Sequence, residues 1–262
     1  MPFIEKNGLK FLTLPSFESE GITHGFFTRQ GGVSPQPWQT LNVATSVGDS
    51  RENVIENRNR ILSTFGMRYD SVFDTWQVHS DIVHHSENPR PVDQPHKKGD
   101  AIITSNPKVA LMMVFADCVP ILFYDTEKKI IAIAHAGWQG TVKHIASRTV
   151  EKMQEVYGSR PRQIIAGIGP SIGIDHYEIG ESTAQSVRIS FREKQEAVLQ
   201  ERERGHFHFD MWKANSILLE QMGLKNIEVA GICTACDMQH WYSHRGEQGN
   251  TGRFAAVITL PV

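Results

Sequence analysis

Three short segments each carry a metal-capable side chain beside a glycine, a proline or an acid at the end of an apolar run. They are Trp76-Gln77-Val78-His79-Ser80, Ala116-Asp117-Cys118-Val119-Pro120 and Ala134-His135-Ala136-Gly137-Trp138. Strand ends project side chains into a shared mouth where ligands from distant positions converge. Two imidazoles and a thiolate suit Zn²⁺ or copper, and three protein ligands leave a fourth position for water or substrate. A site open in this way brings the pKa of bound water toward neutrality. The long spacings carry no zinc signature of their own. Taken singly, His79 and His135 read as structural histidines and Cys118 as a small buried hydrophobe. A metal-free Cys118/His135 nucleophilic pair fits the same residues.

A second metal motif competes with this one. Cys233-Thr234-Ala235-Cys236, followed by His240 and His244, supplies four ligands in C-x2-C-x3-H-x3-H order, the stronger signal by local spacing. Against it, the gap between the two ligand pairs is too short to wrap both around one ion, and Cys233 falls on an apolar stretch read as a strand. Three polar loops could hold anions. Thr28-Arg29-Gln30-Gly31-Gly32-Val33-Ser34 combines backbone amides with Arg29, or is a plain hairpin turn. Gly167-Ile168-Gly169-Pro170-Ser171-Ile172-Gly173 lacks the spacing of a dinucleotide fingerprint and the lysine of a P-loop. Ser243-His244-Arg245 and Thr251-Gly252-Arg253 add two cations that face either a phosphate or solvent.

The elements that must position these residues are mostly strands. Runs rich in Val, Ile and Phe at 22–28, 72–83, 101–104, 109–115, 119–124, 130–135, 163–168, 227–233 and 254–260 read as strands. Several are apolar on consecutive positions, which implies burial on both faces. Helical periodicity marks 51–65, capped by Asp49 or Ser50 and stopped by Gly66, then 142–157 before Gly158, and a helix from an Asp210 cap to Gly223. The segment 87–99 reads as an exposed loop, and the charged run 192–205 as a solvated surface helix. Strands come in groups with helices dispersed between them, so a regular βα barrel is disfavoured. The expected fold is α+β, a single domain over 1–262 of mixed β-sheets layered with flanking helices.

Composition removes several function classes. Against 29 acidic residues stand 27 basic ones, for a formal charge of −2, so bulk charge makes no case for nucleic acid or an anionic membrane. Three cysteines cannot build a disulfide framework and suit a reducing compartment. The opening MPFIEKNGLKFLTL lacks the signature of a secretory signal, and the apolar run 109–124 is short and interrupted by Asp117. A cytoplasmic protein is expected.

Taken together, the motifs resemble the YfiH family, also called the laccase-domain or multicopper polyphenol oxidoreductase family. The resemblance runs through Thr28-Arg29, Gly31-Gly32-Val33-Ser34, Leu41-Asn42, Val47-Gly48-Asp49, Asn57-Arg58, Gln77-Val78-His79 and Asp100-Ala101. It continues through the Asp117-Cys118 and His135 segments, the 167–173 turn, Tyr177-Glu178-Ile179-Gly180, Cys233-Thr234, Ser243-His244-Arg245 and Thr251-Gly252-Arg253. It implies one zinc on His79, Cys118 and His135, with copper as the alternative occupant, and a fold of β-sheets layered between helices. It also implies purine nucleoside phosphorylase activity on adenosine, inosine and methylthioadenosine, together with adenosine deaminase activity. Arg29, Arg245 and Arg253 are the cations expected at phosphate. This chain departs from the family pattern at Ser80, where glycine is common, and at Gln139 and Gly246, where arginine often stands.

The older polyphenol oxidase label is harder to fit to the residues. A multicopper oxidase draws on histidines in paired H-x-H runs, and of the 12 histidines here only His206 and His208 are so arranged. A zinc deaminase would in addition need a glutamate that shuttles protons without binding the metal, and no such residue is identified from the sequence. A non-catalytic zinc module that recognises another protein is the remaining alternative.

Overall fold

The computed structural model describes residues 3–203 and 205–261. Among these, the apolar runs pair into two six-stranded sheets and a three-stranded one. The first sheet contains β1 (Phe3–Lys6), β2 (Leu9–Leu12), β3 (Thr23–Phe27), β4 (Val72–Phe73), β7 (Ala110–Phe115) and β15 (Phe254–Thr259), in the order β1-β2-β3-β15-β7-β4. The second contains β5 (Val83–His85), β6 (Ala101–Thr104), β8 (Val119–Asp125), β9 (Ile130–Ala136), β10 (Ile164–Ile168) and β14 (Asn226–Val229), in the order β14-β10-β8-β9-β6-β5. The small sheet joins β11 (Glu178–Gly180), β12 (Leu199–Glu203) and β13 (His206–Phe209).

Side-chain alternation along the second sheet explains why its strands are apolar at every position. Ile121, Phe123, Ala132 and Ala134 face a core shared with helices α4 (Ile145–Tyr157), α5 (Glu181–Phe191) and α6 (Met211–Gln221). Leu122, Tyr124, Ile131 and Ile133 face the opposite way, onto Phe26, Leu111, Phe115, Phe254 and Ile258 of the first sheet. The outer face of the first sheet packs Phe11, Phe27, Met112 and Val257 against Ile61 and Leu62 of α2 (Arg51–Thr64). The order is thus helices, sheet, sheet, helix. This is a mixed α+β architecture, and a strand inside it has no solvent face. None of the described helices is long and apolar enough to cross a membrane.

Local departures from the sequence reading have physical causes. The run 72–83 is not one strand: it breaks after Phe73 and resumes at Val83. Between them the side chain of Gln77 pairs with the backbone of β7, donating to Val114 O at 2.8 Å and accepting from Val114 N at 3.0 Å, so a side-chain amide takes the place of a strand. The helix expected over 142–157 is split into α3 (Trp138–Val142) and α4, because His144 takes a left-handed backbone at φ 64° and its ring reaches Ser190 Oγ at 2.8 Å. The charged run 192–205, Arg204 of which lies outside the described residues, is a 3₁₀ turn followed by β12 rather than a helix. Pairing with β13 overrides local propensity there. The expected strand at 227–233 ends at Val229, and Cys233 beyond it makes only an isolated parallel bridge to Ser171 before the chain turns at Thr234.

Candidate active site

His79, Cys118 and His135 come together at one end of the space between the two large sheets. Their ligand atoms all lie within 4.8 Å of one another. His135 belongs to β9, opposite Pro120 of β8, and points toward the first sheet, with its ring 5.5 Å from that of Phe115. Cys118 occupies the turn from β7 into β8. His79 is not at a strand end as expected; it sits in the loop after Gln77 with a left-handed backbone at φ 57°. The two imidazoles meet edge to face at 5.0 Å, and Cys118 Sγ lies 3.8 Å from His79 Nε2.

Asp100, at the start of β6, organises this convergence and is fully buried. Its Oδ1 accepts from His135 Nδ1 at 2.9 Å and from His79 N at 3.0 Å. Its Oδ2 accepts from Val78 N, Ser80 N and Ser80 Oγ. The carboxylate therefore fixes the tautomer of one imidazole and the loop carrying the other. Burial raises its pKa, but His135 and Ser80 outweigh that and bring it to about 2. Burial likewise raises the Cys118 thiol, and the adjacent His135 and His79 overcome it, bringing the thiol down to about 6. For His135 burial lowers the pKa, while Cys118 and Asp100 lift it to about 9. The thiolate is thus favoured in place, the form a metal requires.

The donor set fits a tetrahedral ion. Bonds of about 2.3 Å to sulfur and about 2.0 Å to nitrogen set the two donors about 3.5 Å apart at the tetrahedral angle. Gly137 completes the cradle, since a Cβ there would stand 2.7 Å from His79 Cδ2 and 3.0 Å from Cys118 Sγ. Asp100 behind His135 is the carboxylate–histidine pairing usual behind metal ligands.

Beside these residues opens a cavity of about 460 Å³, within the roughly 300–1,000 Å³ of small-molecule sites. Gln77, Asp117, Tyr177, His244, Arg245 and Arg253 line it together with the three ligands. Asp117 Oδ1 accepts from Thr234 Oγ1 and Ser243 Oγ, each at 2.7 Å, and its Oδ2 accepts from Arg245 N at 2.6 Å. That carboxylate ties the turn holding Cys118 to the segment holding Arg245. The Arg245 guanidinium bonds the carbonyls of His176 and Glu178 and lies 5.4 Å over the Tyr177 ring. Arg253 bonds the carbonyls of Thr251 and Gly252. Among the described residues neither guanidinium is ion-paired with a carboxylate, so both are available to an anion.

Other expected residues lie elsewhere. Arg29 does not reach this cavity: it donates to Glu247 Oε1 and Met238 O at 3.0 Å each and to Gln39 O at 3.1 Å, and stacks on Tyr242 at 4.4 Å. The amides of its glycine loop are also taken, Gly32 N by Thr40 Oγ1 and Val33 N by Asn57 Oδ1. The C-x2-C-x3-H-x3-H set does not assemble. His240 bonds Asp237 and Lys10, His244 faces the cavity, and Cys233 and Cys236 instead meet His176. Sequence reasoning gave no role to Asp100, Gln77 or Tyr177. An acid directly preceding the apolar run 101–104 was the available signal for Asp100.

Known proteins are similar to this chain across nearly its whole length. The chain is 41% identical over 255 residues to a purine nucleoside phosphorylase of Deinococcus radiodurans, covering 97% of this chain and 94% of that one. It is 34% identical to the purine nucleoside phosphorylase YlmD of Bacillus subtilis, covering 91% and 88%. The crystal structure of YlmD from Geobacillus stearothermophilus superimposes with a TM-score of 0.92 at 30% identity and 99% coverage of each chain. That of Bacillus licheniformis YfiH does so with the same values. Residues 23–261 match the family model described as multi-copper polyphenol oxidoreductase laccase. With the strands, the turn and the loop that gather His79, Cys118 and His135 all inside that match, the chain belongs to this family, the YfiH or laccase-domain family.

Proposed function

We propose that the chain is a zinc-dependent purine nucleoside phosphorylase. It would convert adenosine, inosine or methylthioadenosine and phosphate to the free base and the sugar 1-phosphate. One observation carries the reading: two guanidiniums without carboxylate partners, Arg245 and Arg253, share a nucleoside-sized cavity with an open three-ligand centre. Names of relatives that are purine nucleoside phosphorylases support it.

His79, Cys118 and His135 would hold the ion. Bound there with a free coordination position, zinc supplies Lewis acidity and an acidified water. Copper is the alternative occupant of the same three donors. The remaining work belongs to the protein. Arg245 and Arg253 neutralise and orient phosphate, one of whose oxygens forms the bond to C1′ as the C1′–N9 bond breaks. The bonding pair leaves on the purine, and His244, whose ring nitrogens make no hydrogen bond among the described residues, is the group available to protonate it. Asp117, fully engaged by Thr234, Ser243 and Arg245, positions the phosphate arm.

Adenosine deamination is the weaker half of the expected activity. Among the described residues no glutamate lines the cavity to shuttle its proton. The open coordination position argues against a purely structural zinc module. A conventional multicopper oxidase is not favoured, because each ligand group within 4.8 Å among the described residues contains at most two histidines.

Incubating the zinc-loaded protein with adenosine, with and without phosphate, tests the proposal by chromatography of the products. Adenine and ribose 1-phosphate, formed only with phosphate, is the expected result. Inosine formed regardless of phosphate would replace phosphorylase by deaminase. Unchanged adenosine alongside copper-dependent phenol oxidation would replace it by the oxidase.

A further inference from the structure

We propose that His176, Cys233 and Cys236 form a second metal site, for a thiophilic divalent cation of tetrahedral preference, zinc foremost. The ion would clamp the cavity wall that carries Tyr177 and Arg245.

The donors are arranged as ligands. Cys236 Sγ lies 3.5 Å and Cys233 Sγ 3.7 Å from His176 Nδ1, and all three atoms fall within 4.8 Å of one another. Those separations lie close to the edge of about 3.5 Å between sulfur and nitrogen around tetrahedral zinc. The two sulfurs come from one tight turn, in which Cys236 N donates to Cys233 O at 3.2 Å. The backbone also holds Cys233 in place: Gly173 N donates to its Sγ at 3.2 Å. A Cβ at Gly173 would crowd this approach, standing 3.3 Å from Cys233 Cβ and from the Trp212 ring. His176 and Cys236 are exposed, which leaves the fourth position to water. Binding releases a proton from each thiol still protonated.

Position gives the site its consequence. An ion here would cross-link two segments far apart in sequence. On one, His176 precedes Tyr177 of the cavity wall, and its carbonyl accepts from Arg245. On the other, Thr234 lies between the two cysteines and bonds Asp117, the neighbour of Cys118. The clamp would therefore hold both the aromatic wall and the arginine. Binding at this site does not depend on the function proposed above.

Cobalt titration of the reduced, metal-free full chain, followed by thiolate-to-cobalt absorption, tests the assignment. Wild type should take up two equivalents, and Cys236→Ser and His176→Ala should each take up one. Cys118→Ala should also take up one, with the second site intact, so loss of the first centre is distinguishable from loss of the second. In the Cys118→Ala protein, zinc should slow hydrogen exchange of residues 173–178 by at least about tenfold, and adding Cys236→Ser should abolish that protection. If Cys236→Ser and His176→Ala bind as much cobalt as wild type, or zinc leaves exchange at 173–178 unchanged, the proposal is overturned.

Discussion

Asp100 and His135 are joined twice. The carboxylate Oδ1 accepts from His135 Nδ1 at 2.9 Å, and the backbone carbonyl of Asp100 accepts from His135 N at 2.7 Å. The first bond aims the imidazole, and the second locks β6 to the strand that carries it. Because the same Oδ1 also accepts from His79 N at 3.0 Å, one oxygen sets two of the three donors.

Asp100→Asn retains the shape but offers a weaker acceptor to the ring and to the loop amides. Zinc affinity should fall about 10–100-fold, as for other losses of a carboxylate behind a ligating histidine. Competition with a chromophoric chelator measures it. An unchanged dissociation constant would mean that Asp100 only supports the fold.

Gly137 has φ −70°, a conformation open to any residue, so replacing it introduces no backbone strain. A methyl group there must still displace His79 or Cys118. Gly137→Ala should weaken zinc binding while destabilising the fold by about 1–3 kcal/mol, the usual effect of overpacking. Metal content by elemental analysis, read beside urea unfolding, separates the two effects.

The arginines divide into two roles. Arg245→Ala and Arg253→Ala should each raise the KM for phosphate about 10- to 100-fold, with zinc content unchanged, since each removes one charge-assisted contact. Arg29→Ala should leave that KM alone and instead lower stability by about 1.5–3 kcal/mol, because Glu247 and two carbonyls lose their donor. A phosphate KM that rises as far in Arg29→Ala as in Arg245→Ala would return Arg29 to the substrate site.

Acid should unfold the protein in part through Asp74. Burial pushes its carboxyl up, but His96, Arg58 and Arg90 hold it well below the usual carboxylate range. A folded pKa below the unfolded one contributes stability that is present above about pH 4 and is lost as pH falls toward the folded value. Asp74→Asn should be about 3–5 kcal/mol less stable at pH 7. It should also lose less stability than wild type between pH 5 and 2. Urea midpoints across that range provide the check, and parallel pH profiles would remove Asp74 from the account.

Much of the layered architecture was legible because burial on both faces leaves its mark residue by residue. The run 130–135 has no polar position before His135, and only an interior strand permits that. Cys118 and His135 were legible for the same reason, as the first reactive groups beyond such runs. His79 was harder to place. Its loop is held by Gln77 acting as a strand and by Asp100 acting as a triple cap, and neither role leaves a periodic trace. The partnership of His176 with Cys233 and Cys236 was hidden too, because a histidine so distant in sequence carries no spacing signal. The surroundings of Arg29 were not legible, because two glycines resemble an anion loop whether or not side chains such as Thr40 and Asn57 occupy the amides.

The position of β15 between β3 and β7 has a consequence for biosynthesis. The first sheet is antiparallel across both junctions, with Ala256 opposite Phe26 on one side and Met113 on the other. During translation, β3 and β7 emerge from the ribosome long before the strand that must lie between them. Until residues 254–259 follow, both expose unpaired edges, and Phe254, Ala256 and Ile258 are missing from the intersheet core. Arg253, immediately before that strand, reaches the cavity only when the strand is inserted. The nascent chain can therefore neither close this sheet nor bring Arg253 to the cavity until this segment has been synthesised.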